Sequence, residues 1–226
     1  MNEIFDLYTY TGFFTILCGI ASFIVGLKNK NKFSELKFML YYPLASAIQT
    51  SLAIYFGFTK INFEIVDKIN NITTNLFLLI EFVIIYYYYK IILKLTSMNR
   101  VLNLLGALYI LVFFSNWIFK QGILLYPTPF FISQAFLILI PASFYFFSLF
   151  KKPVIINLAN EPSFWINLGV VVYFACTLPL FLLKDIIFTE TGFLREDYVF
   201  AINFICYGIM FLFIAQAYLC RKTDIQ

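Results

Sequence analysis

Histidine is absent from the chain and charge is scarce: Asp, Glu, Lys and Arg together make up 12% of 226 residues. Without an imidazole, the commonest zinc and haem ligand is missing, and so is the usual general base of nucleophilic triads. Intramembrane proteases of the serine–histidine or histidine–zinc kind are therefore excluded. A soluble domain carries about 25% charged residues, so there is too little charge here to cover a water-facing catalytic, kinase or nucleic-acid-binding domain. The four cysteines, Cys18, Cys176, Cys206 and Cys220, fall inside or at the end of apolar stretches with no CxxC pair. They read as packing residues rather than a disulfide framework or metal cluster, and only Cys220, beside Arg221, is placed for acylation. No cofactor and no metal are expected.

What the chain has in abundance is apolar surface: 62% of residues are hydrophobic, 21% are aromatic, and the mean hydropathy is +0.86. A bilayer core takes about 20 mostly apolar residues per helix. Seven such stretches can be read, at 8–27, 38–58, 73–93, 101–119, 130–150, 163–183 and 198–219. Backbone polar groups cannot be left unpaired in lipid, so these stretches should be helices. The expected fold is all-α, a single seven-transmembrane-helix bundle over residues 1–226, with connections too short to hold another domain.

The cations predict an orientation. Lys28, Lys30, Lys32, Lys37, Lys90, Lys94, Arg100, Lys151, Lys152, Arg221 and Lys222 fall on one side, and Lys60, Lys68, Lys120, Lys184 and Arg195 on the other. The positive-inside rule then places the N-terminus outside and the C-terminus in the cytoplasm, as for a multi-pass protein of a bacterial inner membrane. The start, MNEIFDLYTYTG, has two acids and no basic segment, so a cleaved signal peptide is not expected. The net charge of +4 is explained by inner lysines meeting anionic headgroups, with the bilayer and not nucleic acid as the partner. Tyrosines and tryptophans near span ends, including Tyr8, Tyr41, Tyr42 and Trp165, read as interface anchors.

Glu81 is the one ionisable residue deep in a span. A carboxyl group at mid-bilayer costs about 2.5–3.5 kcal/mol on insertion scales, so it must face a partner or a cavity, or be protonated. Around it, in the outer half or near the midplane, fall Gln49, Asn75, Asn116, Gln134, Asn203 and Tyr207; with Glu81 they come from spans two, three, four, five and seven. Ser46, Gln49, Thr50 and Ala53 share one helical face, as do Thr74, Phe77, Glu81 and Tyr88. This pattern predicts an outward-facing polar cavity around Glu81, closed toward the cytoplasm, with those seven residues as the ligand-binding or coupling set and no catalytic residue. Interhelical bonding, at about 0.6 kcal/mol per bond, is the plainer explanation for any one of them. Thr15, Gly19, Ser22 and Gly26 form a small-residue face on the first span, suited to close helix packing. Pro141 and Pro179 predict kinks.

Two seven-helix classes fail on their own signatures. The last span has no lysine for a retinal Schiff base, and no Pro-Gln dipeptide marks a half-repeat transporter. The segments EPSFWINLGVVVYFACTLPLFLL at 161–183 and NLFLLIEFVIIYYYYKIIL at 75–93 resemble a family of small seven-helix membrane proteins from Bacteroidota. That family is similar to the membrane input regions of sensor histidine kinases without the kinase. The resemblance implies a sensory or accessory module that signals through a separate cytoplasmic partner, and it supplies no catalytic residue. A small-solute or proton-coupled transporter with Glu81 as the titrating group is the first alternative, and a membrane scaffold subunit the second. An enzyme is not expected, because one lone carboxyl group offers little acid–base machinery.

Overall fold

In a computed structural model the described residues are 2–32, 36–58, 63–93, 96–115, 118, 124, 127–151, 158–183 and 196–220. Seven long helices follow in order: α1 Asn2–Asn29, α2 Lys37–Phe58, α3 Phe63–Ile92, α4 Thr96–Ser115, α5 Thr128–Phe150, α6 Pro162–Leu182 and α7 Glu196–Leu219, with a 3-10 turn at Leu158–Asn160 before α6. Six of the seven are long and apolar enough to cross a membrane, and the chain is a multi-pass membrane protein. The helix outside that group is α2. It has no charge after Lys37, but Pro43, Ser46, Gln49, Thr50, Ser51 and its tyrosines dilute its apolar residues.

Helix α3 starts at Phe63, ten residues before the apolar stretch at 73. Asp67, Lys68, Asn70 and Asn71 are too polar to be counted as membrane-embedded, yet nothing about them breaks a helix. At 1.5 Å per residue its 30 residues reach about 45 Å, against a hydrocarbon core of about 30 Å, so one end projects. Helix α4 is likewise displaced toward its N-terminus, beginning at Thr96 instead of 101.

Packing closes a ring. Helix α1 lies against α2 and α7, α2 against α3, α3 against α5, α5 against α6, and α6 against α7, while α4 docks outside over the α3–α5 seam. Ring and side-chain contacts run antiparallel between chain neighbours: Phe38 meets Tyr87, Tyr86 meets Asn103, Phe113 meets Phe130, and Phe181 meets Phe200. Helices α1 and α7 run parallel, with Tyr8 against Phe204 and Gly26 near Tyr218.

Polarity is distributed inside-out. Thr15, Glu81, Gln134, Asn167 and Thr177 are fully buried, while Leu17, Leu104, Leu111 and Phe150 are exposed on the outside of the bundle. Water would penalise that surface, whereas lipid favours it. The small-residue face of α1 points inward, and Thr15 Oγ1 donates to Phe204 O of α7 at 2.6 Å. At Gly19 an added Cβ would lie 2.9 Å from Pro43 O, so this glycine sets how closely α1 approaches α2.

The end of the bundle that holds the C-termini of α1 and α7 is tied shut. Lys32 Nζ donates to Cys220 O at 2.6 Å, Tyr218 Oη to Leu36 O at 2.7 Å, and Trp165 Nε1 to Ala159 O at 2.8 Å. Cys220 is buried with its thiol directed at Ala159 O and Gln216 O, at 3.5 and 3.4 Å. Acylation there would require the end of α7 to open.

Candidate functional site

Glu81 sits at the centre of the ring and is fully buried. Tyr42 of α2 and Tyr207 of α7 donate to its Oε1, Tyr207 at 2.5 Å, and Gln134 Nε2 of α5 donates to its Oε2 at 2.7 Å. The Tyr109 hydroxyl of α4 shares its one proton between Gln134 Oε1 at 3.0 Å and Leu78 O at 2.9 Å, which helps to fix the amide that holds Glu81. One carboxyl group thus ties α3 to three other helices directly and to α4 at one remove. Both its oxygens are satisfied, so the insertion cost of the acid is offset by bonds that also set the relative positions of the helices.

Above this cluster, toward the N-terminal ends of α1, α3, α5 and α7, lies a cavity of about 250 Å³. Its polar lining is Gln49 and Thr50 of α2, Asn70 and Thr74 of α3, and Asn203 of α7, joined by Tyr8, Tyr173 and Tyr207. Gln49 Nε2 donates to Thr74 Oγ1 at 3.3 Å, and Tyr173 donates to Asn203 Oδ1 at 3.1 Å. Asn70 Oδ1 is buried with no hydrogen-bond partner among the described residues.

Apart from Ala53 and Leu78 the rest of the wall is aromatic, and its rings form an unbroken series of contacts. Phe204 meets Tyr8 at 5.2 Å between centroids, and Tyr8 meets Phe200 at 6.5 Å. Phe200 meets Phe181 at 6.4 Å, and Phe181 meets Phe131 at 4.4 Å. Phe131 meets Tyr173 at 6.4 Å, Tyr173 meets Tyr207 at 4.1 Å, and Tyr207 meets Phe77 at 6.4 Å. Tyr207 therefore belongs to both structures: its ring lines the cavity while its hydroxyl holds Glu81.

No known family model, curated protein or solved structure matches the chain. What its centre does has to follow from this geometry.

The seven residues picked out by the sequence are divided between the two structures. Gln49, Asn203 and Tyr207 line the cavity. Glu81 and Gln134 lie beneath it and are not part of its wall, so the acid forms the support of the cavity instead of its lining. Asn75 is buried and donates to Asn71 O of its own helix at 2.9 Å, and it is not a lining residue. Asn116 lies outside the described residues. Several other intramembrane hydroxyls bond their own helix: Ser115 to Val112 O, Ser133 to Pro129 O and Ser143 to Leu139 O.

Several partners escape the sequence reading. Asn70 precedes the apolar stretch that marks the third span, and Tyr8 and Tyr42 read as membrane-interface anchors. Tyr42 has a usable signal, since it precedes Ser46 and Gln49 by four and seven residues and so shares their face. Tyr109 and Tyr173 stand in the middle of apolar spans, far from headgroups, where a hydroxyl needs a partner.

On the other side of Glu81 the bundle is filled by a second polar cluster. Tyr89 donates to Asn167 Oδ1 at 2.9 Å, Asn167 Nδ2 donates to Tyr88 Oη at 3.0 Å and Ser163 O at 2.9 Å, and Tyr88 donates to Ser163 O at 3.2 Å. Replacing Asn167 by Leu should strand the Tyr89 hydroxyl and lower stability by about 1–3 kcal/mol. Thermal unfolding of the purified protein in detergent should show that loss, while the Glu81 cluster and the cavity, on other residues, stay intact.

Proposed function

We propose that the chain is the membrane part of a receptor: a small molecule enters the cavity at the N-terminal end of the bundle, bears on Tyr207 and resets the Glu81 cluster. The resulting helix movement is read by a separate protein at the opposite face. The observation that supports this is the double role of Tyr207, because anything that displaces its ring also disturbs a bond linking α7 to α3. Interlocked helices have discrete arrangements, so a ligand with different affinity for two of them shifts their balance. The distribution of lysine and arginine in the sequence supports an outside location for the cavity and a cytoplasmic one for the partner, as in a bacterial inner membrane. Counting α2 as a seventh span agrees with that topology, because it returns the chain to the side where α3 begins.

The transporter reading is favoured by Glu81, a buried acid next to a cavity. It requires a route to the other face, whereas Tyr88, Tyr89 and Asn167 are buried and hydrogen-bonded to one another on the far side of Glu81. A scaffold subunit has no use for a lined cavity with an unpaired acceptor.

Spin labels on lipid-facing Ile48 of α2 and Leu212 of α7 report the distance across the cluster. In a screen of small molecules against the protein in nanodiscs, compounds that raise its melting temperature should also shift that distance. Both effects should be lost in Ala53→Phe, which fills the cavity. The Tyr207→Phe protein should keep the stabilisation and lose the shift. Stabilising ligands that leave the distance unchanged in the wild type would remove the receptor reading, and pH-dependent solute flux in proteoliposomes would replace it with the transporter.

A further inference from the structure

We infer that the cavity takes a small organic cation, of the alkylammonium class, held against the faces of its aromatic rings with Glu81 as the counter-charge behind Tyr207. This rests on the receptor reading above and names its ligand. Eight of the fifteen residues that line the cavity are aromatic, and none is Lys, Arg, Asp or Glu. Ring faces carry negative potential, which attracts a cation and repels an anion. An acid, Glu81, lies one hydrogen bond below the floor, reached through the Tyr207 hydroxyl. In the sequence, the positions predicted to share this end carry more acids than bases: Glu3, Asp6, Glu64, Asp67, Asp185, Glu190, Glu196 and Asp197 against five cations. Such an end concentrates cations at the entrance.

Two further features specify the ligand. Asn70 Oδ1 is an orphaned acceptor in the wall, so the guest should present an N–H or O–H donor. The cavity volume is near 250 Å³. That suits a molecule the size of choline or a short primary amine. A cation also gives Glu81 a reason to be an acid, since a glutamine at that position would satisfy the same helices without supplying charge.

The decisive comparison uses choline and its uncharged carbon isostere 3,3-dimethyl-1-butanol, titrated by calorimetry into the full-length protein in nanodiscs. Choline should bind at least about tenfold more tightly than the isostere, a preference of the size cation–π contacts supply in desolvated sites. The preference should fall to within about threefold in Glu81→Gln, and in Phe181→Leu, which removes one ring face and no polar group. Melting curves of both variants show that each is folded. Equal binding of choline and isostere, both blocked by Ala53→Phe, would overturn the cation inference and leave the receptor reading standing. Failure of choline, tetramethylammonium and butylammonium to bind at millimolar concentration would overturn it as well. Tight cation binding with no change in the α2–α7 distance would uphold the ligand class and sink the receptor.

Discussion

The Glu81→Ala protein should be the least stable of the single-site variants at the centre, by about 3 kcal/mol or more, whereas Glu81→Gln should lose less than about 1 kcal/mol. Alanine removes the acceptor of three hydrogen bonds. It leaves Tyr42, Tyr207 and the Gln134 amide without a partner in a region of low dielectric, where each unpaired group costs about 1–3 kcal/mol. A void on the inner face of α3 adds to the loss. Glutamine fits for a geometric reason. The Gln134 amide donates to one carboxyl oxygen and the two tyrosines meet at the other, so the carbonyl of the substituted glutamine can take the first place and its amide the second. Its two N–H groups then face two hydroxyls that rotate to accept, the Tyr42 proton turning to Met210 Sδ and the Tyr207 proton to the Tyr173 hydroxyl. Unfolding of purified protein in detergent, followed by helical circular dichroism, gives both values. If Glu81→Ala unfolds like the wild type, the acid does not tie the helices together, and the link from cavity to helix packing is lost. If Glu81→Gln is as damaged as Glu81→Ala, the charge itself maintains the fold.

That contrast also shows what the sequence can and cannot convey. A single acid in an apolar stretch is visible in one line of text, because the cost of inserting it demands an explanation, and Gln134 and Tyr207 follow by the same reasoning. Their distances to one another do not, since those depend on how α2, α5 and α7 rotate about their axes, which tertiary packing decides. The helices themselves are legible from the length of the apolar runs. Their ends are not: α3 continues for ten residues through Asp67, Lys68, Asn70 and Asn71, where helix formation and membrane burial part company. That extension hides Asn70, the cavity's unpaired acceptor, from a reading based on apolar length. The aromatic wall is hidden for a different reason. Thirty phenylalanines and sixteen tyrosines in 226 residues give no contrast between a ring that faces lipid and one that faces a cavity.

Close packing of α1 on α2 leads to the second large effect. Gly19→Leu should cost about 2–3 kcal/mol, the upper part of the usual range for forcing extra atoms into a filled interior. It should also change the cavity, which the two helices help to frame through Tyr8 and Gln49. The neighbour of a Cβ at this position is the carbonyl oxygen of Pro43 at 2.9 Å, with Ala47 Cβ at 3.3 Å behind it. A backbone oxygen cannot rotate away as a side chain does, so α1 and α2 must separate. Their separation moves Tyr42, one residue before Pro43, relative to Glu81. Gly106 on α4 provides the control. A Cβ there would lie 3.2 Å from the ring of Tyr86, which is only partly buried and has room to shift. Gly106→Ala should therefore be neutral, or more stable by up to about 1 kcal/mol through its higher helix propensity. Melting temperatures of the two variants in the same detergent, together with choline titrations, provide the test. A Gly19→Leu protein as stable as Gly106→Ala would mean that the α1–α2 seam is loose. The cavity would then lack the rigid wall it needs to pass the presence of a ligand on to Tyr42 and the acid it holds.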